Sequence, residues 1–155
     1  MAFKPYQSKK MQPNSNLLKE YKTTLKPFTQ EQRDIIIGTL LGDSTIQRSR
    51  VRIKWEQTSS VSEYVCSVYD LFHPYVGTPP KLASQFDKRT SQIYYTMRFQ
   101  TYSHENIQFY KDLFYQGDSK DTYTKIVPLD IEQYLTPRAL AHWFMGDGSK
   151  PWAQG

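Results

Sequence analysis

Two aspartates close matching segments of this chain. Ile36-Ile37-Gly38-Thr39-Leu40-Leu41-Gly42-Asp43-Ser44 and Leu140-Ala141-His142-Trp143-Phe144-Met145-Gly146-Asp147-Gly148 are each an apolar stretch that ends in Gly-Asp. Each stretch reads as the end of a helix, so each carboxylate stands against the negative pole of a helix dipole. Packed together, two such helices crowd two carboxylates, and a divalent cation relieves the conflict.

Helix starts lie where these segments need them. Thr29-Gln30-Glu31-Gln32 reads as a capping box, a hydroxyl at N-cap and an amide at N3, opening the helix of the first segment. Thr136-Pro137, an N-cap followed by proline at N1, opens the helix of the second. Upstream, Asn14-Ser15 cap a short helix through Leu17, Leu18, Tyr21 and Leu25 that Pro27 ends. Gly38 and Gly42 share one helix face. Glycine costs a helix interior about 1 kcal/mol relative to alanine, so the pair marks either a close crossing with another backbone or a frayed end.

Between the two helices the periodicity changes to two. Val51, Ile53 and Trp55 alternate with Arg50, Arg52, Lys54 and Glu56, which makes a strand with one apolar and one mainly cationic face, paired across a turn at Arg48-Ser49 with a strand starting near Thr45. Ser60 to Tyr75 has helical spacing in Val61, Tyr64, Val65, Val68, Leu71 and Phe72. After Pro79-Pro80 a second hairpin runs from Lys81 to Phe86, turns over Asp87 to Ser91 and returns from Gln92 to Tyr102, with Ile93, Tyr95, Met97 and Phe99 opposite Gln92, Tyr94, Thr96, Arg98 and Gln100. A helix from Ser103, its expected cap, to Tyr115 and a polar connection through Lys125-Ile126-Val127-Pro128 complete the order helix, ββ, helix, ββ, helix, helix.

The chain's 155 residues suffice for one domain with a sizeable core. Twenty Lys and Arg against 15 Asp and Glu give a net charge of +5, which favours a polyanionic partner. The single cysteine, Cys66, excludes an intramolecular disulfide and a cysteine-zinc cluster, and reads as a small apolar residue on its helix. No apolar run approaches the roughly 20 residues that span a bilayer, so no membrane partner is expected. Residues 1–13 read as a flexible basic arm, either a phosphate-backbone contact or a solvated tail.

The paired segments, with Pro13-Asn14-Ser15 and Tyr134-Leu135-Thr136-Pro137 before Trp143-Phe144-Met145, resemble the two signature motifs of the LAGLIDADG homing endonucleases, and the intervening ββ-helix-ββ-helix order is similar to that family's half-domain. The resemblance covers essentially the whole chain and is strongest to the monomeric, intron-encoded mitochondrial branch. It implies an α+β fold: a LAGLIDADG half-domain over 14–134 (helix-ββ-helix-ββ-helix with an antiparallel saddle sheet), then the second LAGLIDADG helix over 135–155 as the start of a further half-domain.

The same resemblance implies Mg²⁺ or Mn²⁺ held by Asp43 and Asp147 near the scissile phosphates, with the carbonyls of Gly42 and Gly146 completing part of the shell. Lys125 matches the family's lysine beside the active site, the alternative being a solvated loop lysine. The sheet faces become readers of double-stranded DNA: Arg50, Arg52, Lys54, Gln92, Arg98 and Gln100 along the strands, and Arg48, Gln85, Lys88 and Arg89 near the hairpin tips. By themselves such strands are more often the wet face of a sheet. The implied activity is a metal-dependent double-strand cut, leaving 3′ overhangs, at a long target near an intron insertion site, in an organelle.

Two positions depart from the motifs: Ser44 replaces a final glycine, and bulky His142 stands where the first segment has Gly38. His142 either limits the approach of the helices or points outward, as a structural residue rather than a ligand. A second ββ-helix-ββ-helix unit, usual in two-motif members, does not follow Asp147 in these 155 residues. The expectation is therefore a split enzyme with a complementary C-terminal half, a fragment, or self-pairing, with weak or no cleavage by the chain alone. An RNA maturase that aids group I intron splicing, and a degenerate inactive fragment, are the alternatives.

Overall fold

The computed structural model describes residues 15–148, with side chains through Met145. The expected basic arm over 1–13 lies outside the described residues, and so do the side chains at the end of the second motif, from Gly146 onward. Helix α1, Asn16–Thr23, starts on Ser15, whose Oγ accepts from the Leu18 amide at 3.1 Å. Helix α2, Gln30–Leu41, opens on the expected capping box: Thr29 Oγ1 accepts from the Gln32 amide (3.1 Å) and Gln32 Oε1 from the Thr29 amide (2.9 Å). Such a cap contributes about 1 kcal/mol. From Asp34 to Leu40 every residue of α2 is buried, as in a helix enclosed on all sides.

Four antiparallel strands, β1 (Thr45–Ile46), β2 (Ile53–Thr58), β3 (Lys81–Asp87) and β4 (Gln92–Gln100), form one sheet in the order β1-β2-β4-β3. Helix α3, Ser62–Phe72, lies on its inner face between single 3-10 turns at Ser59–Val61 and His73–Tyr75. The core is aromatic where they meet, with Trp55 stacked on Phe99 and tilted on Phe72, each at 4.9 Å between centroids. Helix α4, Gln108–Phe114, leads to a short ribbon of β5 (Tyr115–Gln116) and β6 (Thr124–Lys125), and helix α5, Pro137–Gly148, packs on α2. No helix among the described residues is long and apolar enough to cross a membrane.

Four expectations change in detail. Val51 and Arg52 are not in a strand: β1 is two residues long, so β2 gains a neighbour only from Ile53 onward, and residues 47–52 form a loop. His104, not Ser103, caps the turn before α4, its Nδ1 accepting from the Asn106 amide at 3.0 Å, because Ser103 Oγ accepts from Lys22. Cys66 is exposed. The second hairpin has the expected alternation, but its far end projects past the helices, leaving Leu82, Phe86, Ile93 and Tyr95 of its apolar face about half exposed.

Candidate active site and nucleic-acid interface

The first Gly-Asp lies where α2 stops. The Thr39 carbonyl accepts both the Gly42 amide (3.0 Å) and the Ser44 amide (2.9 Å), which turns the chain sharply out of the helix. Thr39 is itself fixed, its hydroxyl donating to the Ile35 carbonyl at 2.7 Å and accepting from Trp55 Nε1 at 3.0 Å. The sheet and the helix end are thus joined one turn before Asp43. Asp43 is half-buried, and its Oδ2 accepts from Gln57 Nε2 at 3.2 Å. Lys125 Nζ, arriving on β6, donates to the carbonyls on either side of it, Gly42 O at 3.1 Å and Ser44 O at 2.6 Å.

Asp43, Gly42 and Lys125 are therefore brought together from distant parts of the sequence, and Gln57 joins them. Sequence reasoning overlooked Gln57, although a signal existed. It shares the parity of Ile53 and Trp55, so a polar side chain at the end of that series must face inward. The expectations for Asp147 and Gly146 as metal donors lie outside the described side chains.

The two motif helices cross closely. A Cβ on Gly38 would stand 2.1 Å from the Ala139 carbonyl oxygen and 2.9 Å from His142 Cβ, so only glycine fits, and close crossing is the correct reading of that residue. Thr136 Oγ1 caps α5, accepting from the Ala139 amide at 3.1 Å. His142 neither holds the helices apart nor points outward, since Gly38 makes room for it and its Nδ1 shares a 2.7 Å hydrogen bond with the Tyr64 hydroxyl of α3. Burial and the nearby Arg138 hold the imidazole below its ordinary pKa. A further tie joins Arg138 Nη1 of α5 to the buried Asp34 of α2 at 3.4 Å.

A divalent ion fits the donor set in one respect. Asp43 and its flanking carbonyls are hard oxygen donors beside a cation, and Mg²⁺ typically takes only one or two carboxylates plus waters and phosphates rather than an all-protein cage. Among the described residues no three His, Cys, Asp or Glu side chains come together as an ion-binding group.

Beside this site the outer sheet face carries a groove of about 640 Å³ whose lining includes Lys22, Arg50, Arg52, Lys54, Lys81 and Arg98 and no carboxylate. Arg50 and Arg52 reach it from the loop rather than from a strand. Burial and neighbouring Arg50 pull the Arg52 guanidinium below its usual pKa, and its Nε donates to Gln47 Oε1 at 2.6 Å. Gln100 pairs opposite Lys54 on the same face. Gln85 and Gln92 share that face toward the tip, where Lys88 and Arg89 occupy the turn. Arg48 stands apart, donating to the Asp118 carbonyl at 3.2 Å. Lys22 and Lys81 were not anticipated on this face, whereas Glu56 was placed there by its alternation with Lys54. Glu56 lies amid the cations, 3.6 Å from Lys54 Nζ and 3.7 Å from Arg98 Nη1.

Residues 33–154 match the model of the LAGLIDADG DNA endonuclease family. The chain is 33% identical over 132 residues to the DNA endonuclease I-ChuI of Chlamydomonas applanata, covering 81% of this chain and 61% of that protein. It is 29% identical over 133 residues to the cytochrome b mRNA maturase bI2 of Debaryomyces hansenii, covering 81% and 48%. Its fold is similar to that of the homing endonuclease I-WcaI bound to its DNA recognition sequence, with a TM-score of 0.77 at 28% identity over 88% of this chain and 59% of that one. The chain thus spans about half to three-fifths of the length of these relatives. On the extent of the family match, together with the paired motif helices and the sheet between them, this chain belongs to the LAGLIDADG DNA endonuclease family.

Proposed function

We propose that this chain carries the active site and one DNA-reading sheet of a site-specific homing endonuclease that makes a metal-dependent double-strand cut, with 3′ overhangs, at a long target near an intron insertion site. The observation that carries the reading is the enclosure of Asp43 by Lys125 and Gln57 beside a groove lined by six cations. Asp43 and Asp147 would hold Mg²⁺ or Mn²⁺, with the Gly42 and Gly146 carbonyls as further donors. Bound there, the ion would orient a water for attack and offset charge on the phosphorane-like transition state. Gln57 orients the Asp43 carboxylate, and Lys125 fixes the backbone on both sides of it while adding positive charge where the phosphate enters. The groove cations and Gln100 grip the major groove, which admits a two-stranded ribbon, and Gln85, Lys88, Arg89 and Gln92 extend the grip at the hairpin tip. Arg48 serves the loop backbone first and DNA second.

In our reading residues 14–134 form one half-domain, 135–155 begin a second, and full activity requires a complementary C-terminal half. The exposed Leu140, Phe144 and Met145 of α5 support that reading, as an apolar surface for such a half to cover. We place the protein in an organelle. The test is cleavage of a library of long duplexes with Mg²⁺, with and without a supplied C-terminal half. We expect cutting with the half, at least about a hundredfold weaker in Asp43→Asn and Lys125→Met. Undiminished cutting by Asp43→Asn overturns the mechanism. The kinship with a cytochrome b mRNA maturase favours one second reading, an intron RNA chaperone on the same cationic face. Intron binding that survives Asp43→Asn, without any DNA cleavage, would select it.

A further inference from the structure

From the geometry around β1 we infer that Tyr115 and Tyr123 are positioning residues for Asp43, acting through the backbone that follows it. The inference rests on the metal-site reading of Asp43 above. β1 is an outer strand of the sheet, and an outer strand presents backbone donors and acceptors that need partners. Ile46 pairs opposite Ile53, whose own amide and carbonyl are taken by Thr101, so the polar groups of Ile46 face away from β2. Two phenols meet them. The Ile46 amide donates to the Tyr115 hydroxyl at 2.9 Å, and the Tyr123 hydroxyl donates to the Ile46 carbonyl at 2.7 Å.

The same edge is held at every second residue. Lys125 takes the carbonyls of Gly42 and Ser44, the two tyrosines take Ile46, and Lys111 Nζ donates to the Arg48 carbonyl at 3.2 Å. All of these side chains come from the stretch that runs from α4 through β6, residues 111–125, which serves as a substitute strand made of side chains. Asp43 lies between two held residues, so its direction depends on that stretch.

The clamp is itself rigid. The tyrosine rings stack at 4.5 Å with a 5° interplanar angle, and the Lys111 ammonium stands 5.9 Å from the centre of the Tyr123 ring. Burial pushes both phenols above their ordinary pKa, which keeps the proton that Tyr123 donates. Gly117 permits the fold-back that sets Tyr123 on Tyr115. Its φ of +89° belongs to glycine, and a Cβ there would stand 2.1 Å from the Thr122 carbonyl oxygen.

Tyr115→Phe, Tyr123→Phe and the double variant remove the hydroxyls and keep the stacked rings. Three measurements on the full chain test the inference: hydrogen exchange of the Ile46 amide, Mn²⁺ binding followed by electron paramagnetic resonance, and affinity for a generic duplex at low salt. We expect Ile46 to exchange about tenfold faster in Tyr115→Phe as its local opening becomes easier. The double variant should bind Mn²⁺ about fivefold to tenfold more weakly, since holding metal ligands through hydrogen-bonded neighbours is worth that much or more. Duplex affinity should stay within about twofold, because the groove cations are untouched. Mn²⁺ binding that the double variant leaves unchanged while Asp43→Asn abolishes it overturns the clamp and spares the metal site. Mn²⁺ binding that Asp43→Asn also leaves unchanged overturns both.

Discussion

The helices α2 and α5 carry the same motif and live in opposite surroundings. From Asp34 to Leu40, α2 is buried throughout, whereas α5 buries Ala139 and leaves Phe144 69% and Met145 50% exposed. Corresponding positions are complementary rather than alike: Gly38 in one helix faces the bulk around His142 in the other, and Asp34 in one meets Arg138 in the other. A motif repeated for its carboxylate has therefore diverged where the helices touch. Two copies of α2 packed in this geometry would set Asp34 against Asp34 and leave the space at Gly38 facing another glycine. The pairing is asymmetric by charge and by size, which argues against a second copy of α2 taking the place of α5.

Truncations sharpen this contrast most. Ile36→Ala, at a fully buried site of α2, should cost about 3 kcal/mol. Phe144→Ala on the outer face of α5 should stay within about 0.5 kcal/mol in this chain. Urea unfolding monitored by tryptophan fluorescence measures both, and similar costs would erase the distinction between the helices. Gly38→Ala comes next. The methyl gains helix propensity worth about 1 kcal/mol but drives into the backbone of Ala139, so a net loss of about 2 kcal/mol is expected by the same measurement.

Much of this contrast could be read before the structure, because it lies in local patterns. The Thr29 capping box and the Thr136 cap each depend on a few neighbouring residues, and the crossing at Gly38, though its partners Ala139 and His142 are distant, is announced by the glycine itself; each formed as expected. What could not be read depends on which of several possible partners a side chain takes. Arg50 and Arg52 alternate as in a strand, yet β1 is too short to pair with them. Ser103 could cap a helix as well as His104 does, but Lys22, distant in sequence, takes its hydroxyl. Tyrosines on apolar stripes look alike in sequence, yet Tyr110 packs in the core whereas Tyr115 and Tyr123 spend their hydroxyls on the edge of β1. Lys125 entered through family resemblance alone, since nothing local to it announces that it reaches Gly42 and Ser44.

The charge complementarity can be broken from the α5 side. Arg138→Met takes the cation away from the Asp34 carboxylate, which is 4% exposed and still accepts from the Gln30 amide at 2.8 Å, an unfavourable state for a buried charge. Because the Arg138 side chain is half exposed, the cost should be about 1–2 kcal/mol rather than the 3–5 of a fully buried pair. Adding Asp34→Asn to that variant should recover part of the loss. A double variant no more stable than Arg138→Met would show that charge does not select the partner helix.

The smallest expected effect is a dependence on pH confined to the size complement. His142 is packed against α2 with its Nδ1 on the Tyr64 hydroxyl. Burial and Arg138 hold its pKa below the usual 6.5, while Glu31 and Asp34 pull the other way without reversing the sign. A folded state that resists a proton which the unfolded chain accepts is fully stabilised above the unfolded pKa and loses that margin as the pH falls through and below it. The unfolding midpoint should therefore drop as the pH falls below about 6.5. His142→Gln, which retains a polar group for Tyr64 without a titrating ring, should flatten that part of the profile, although ordinary carboxylate titration persists at lower pH. An unchanged slope in His142→Gln would mean that the histidine fills space between the helices and senses nothing.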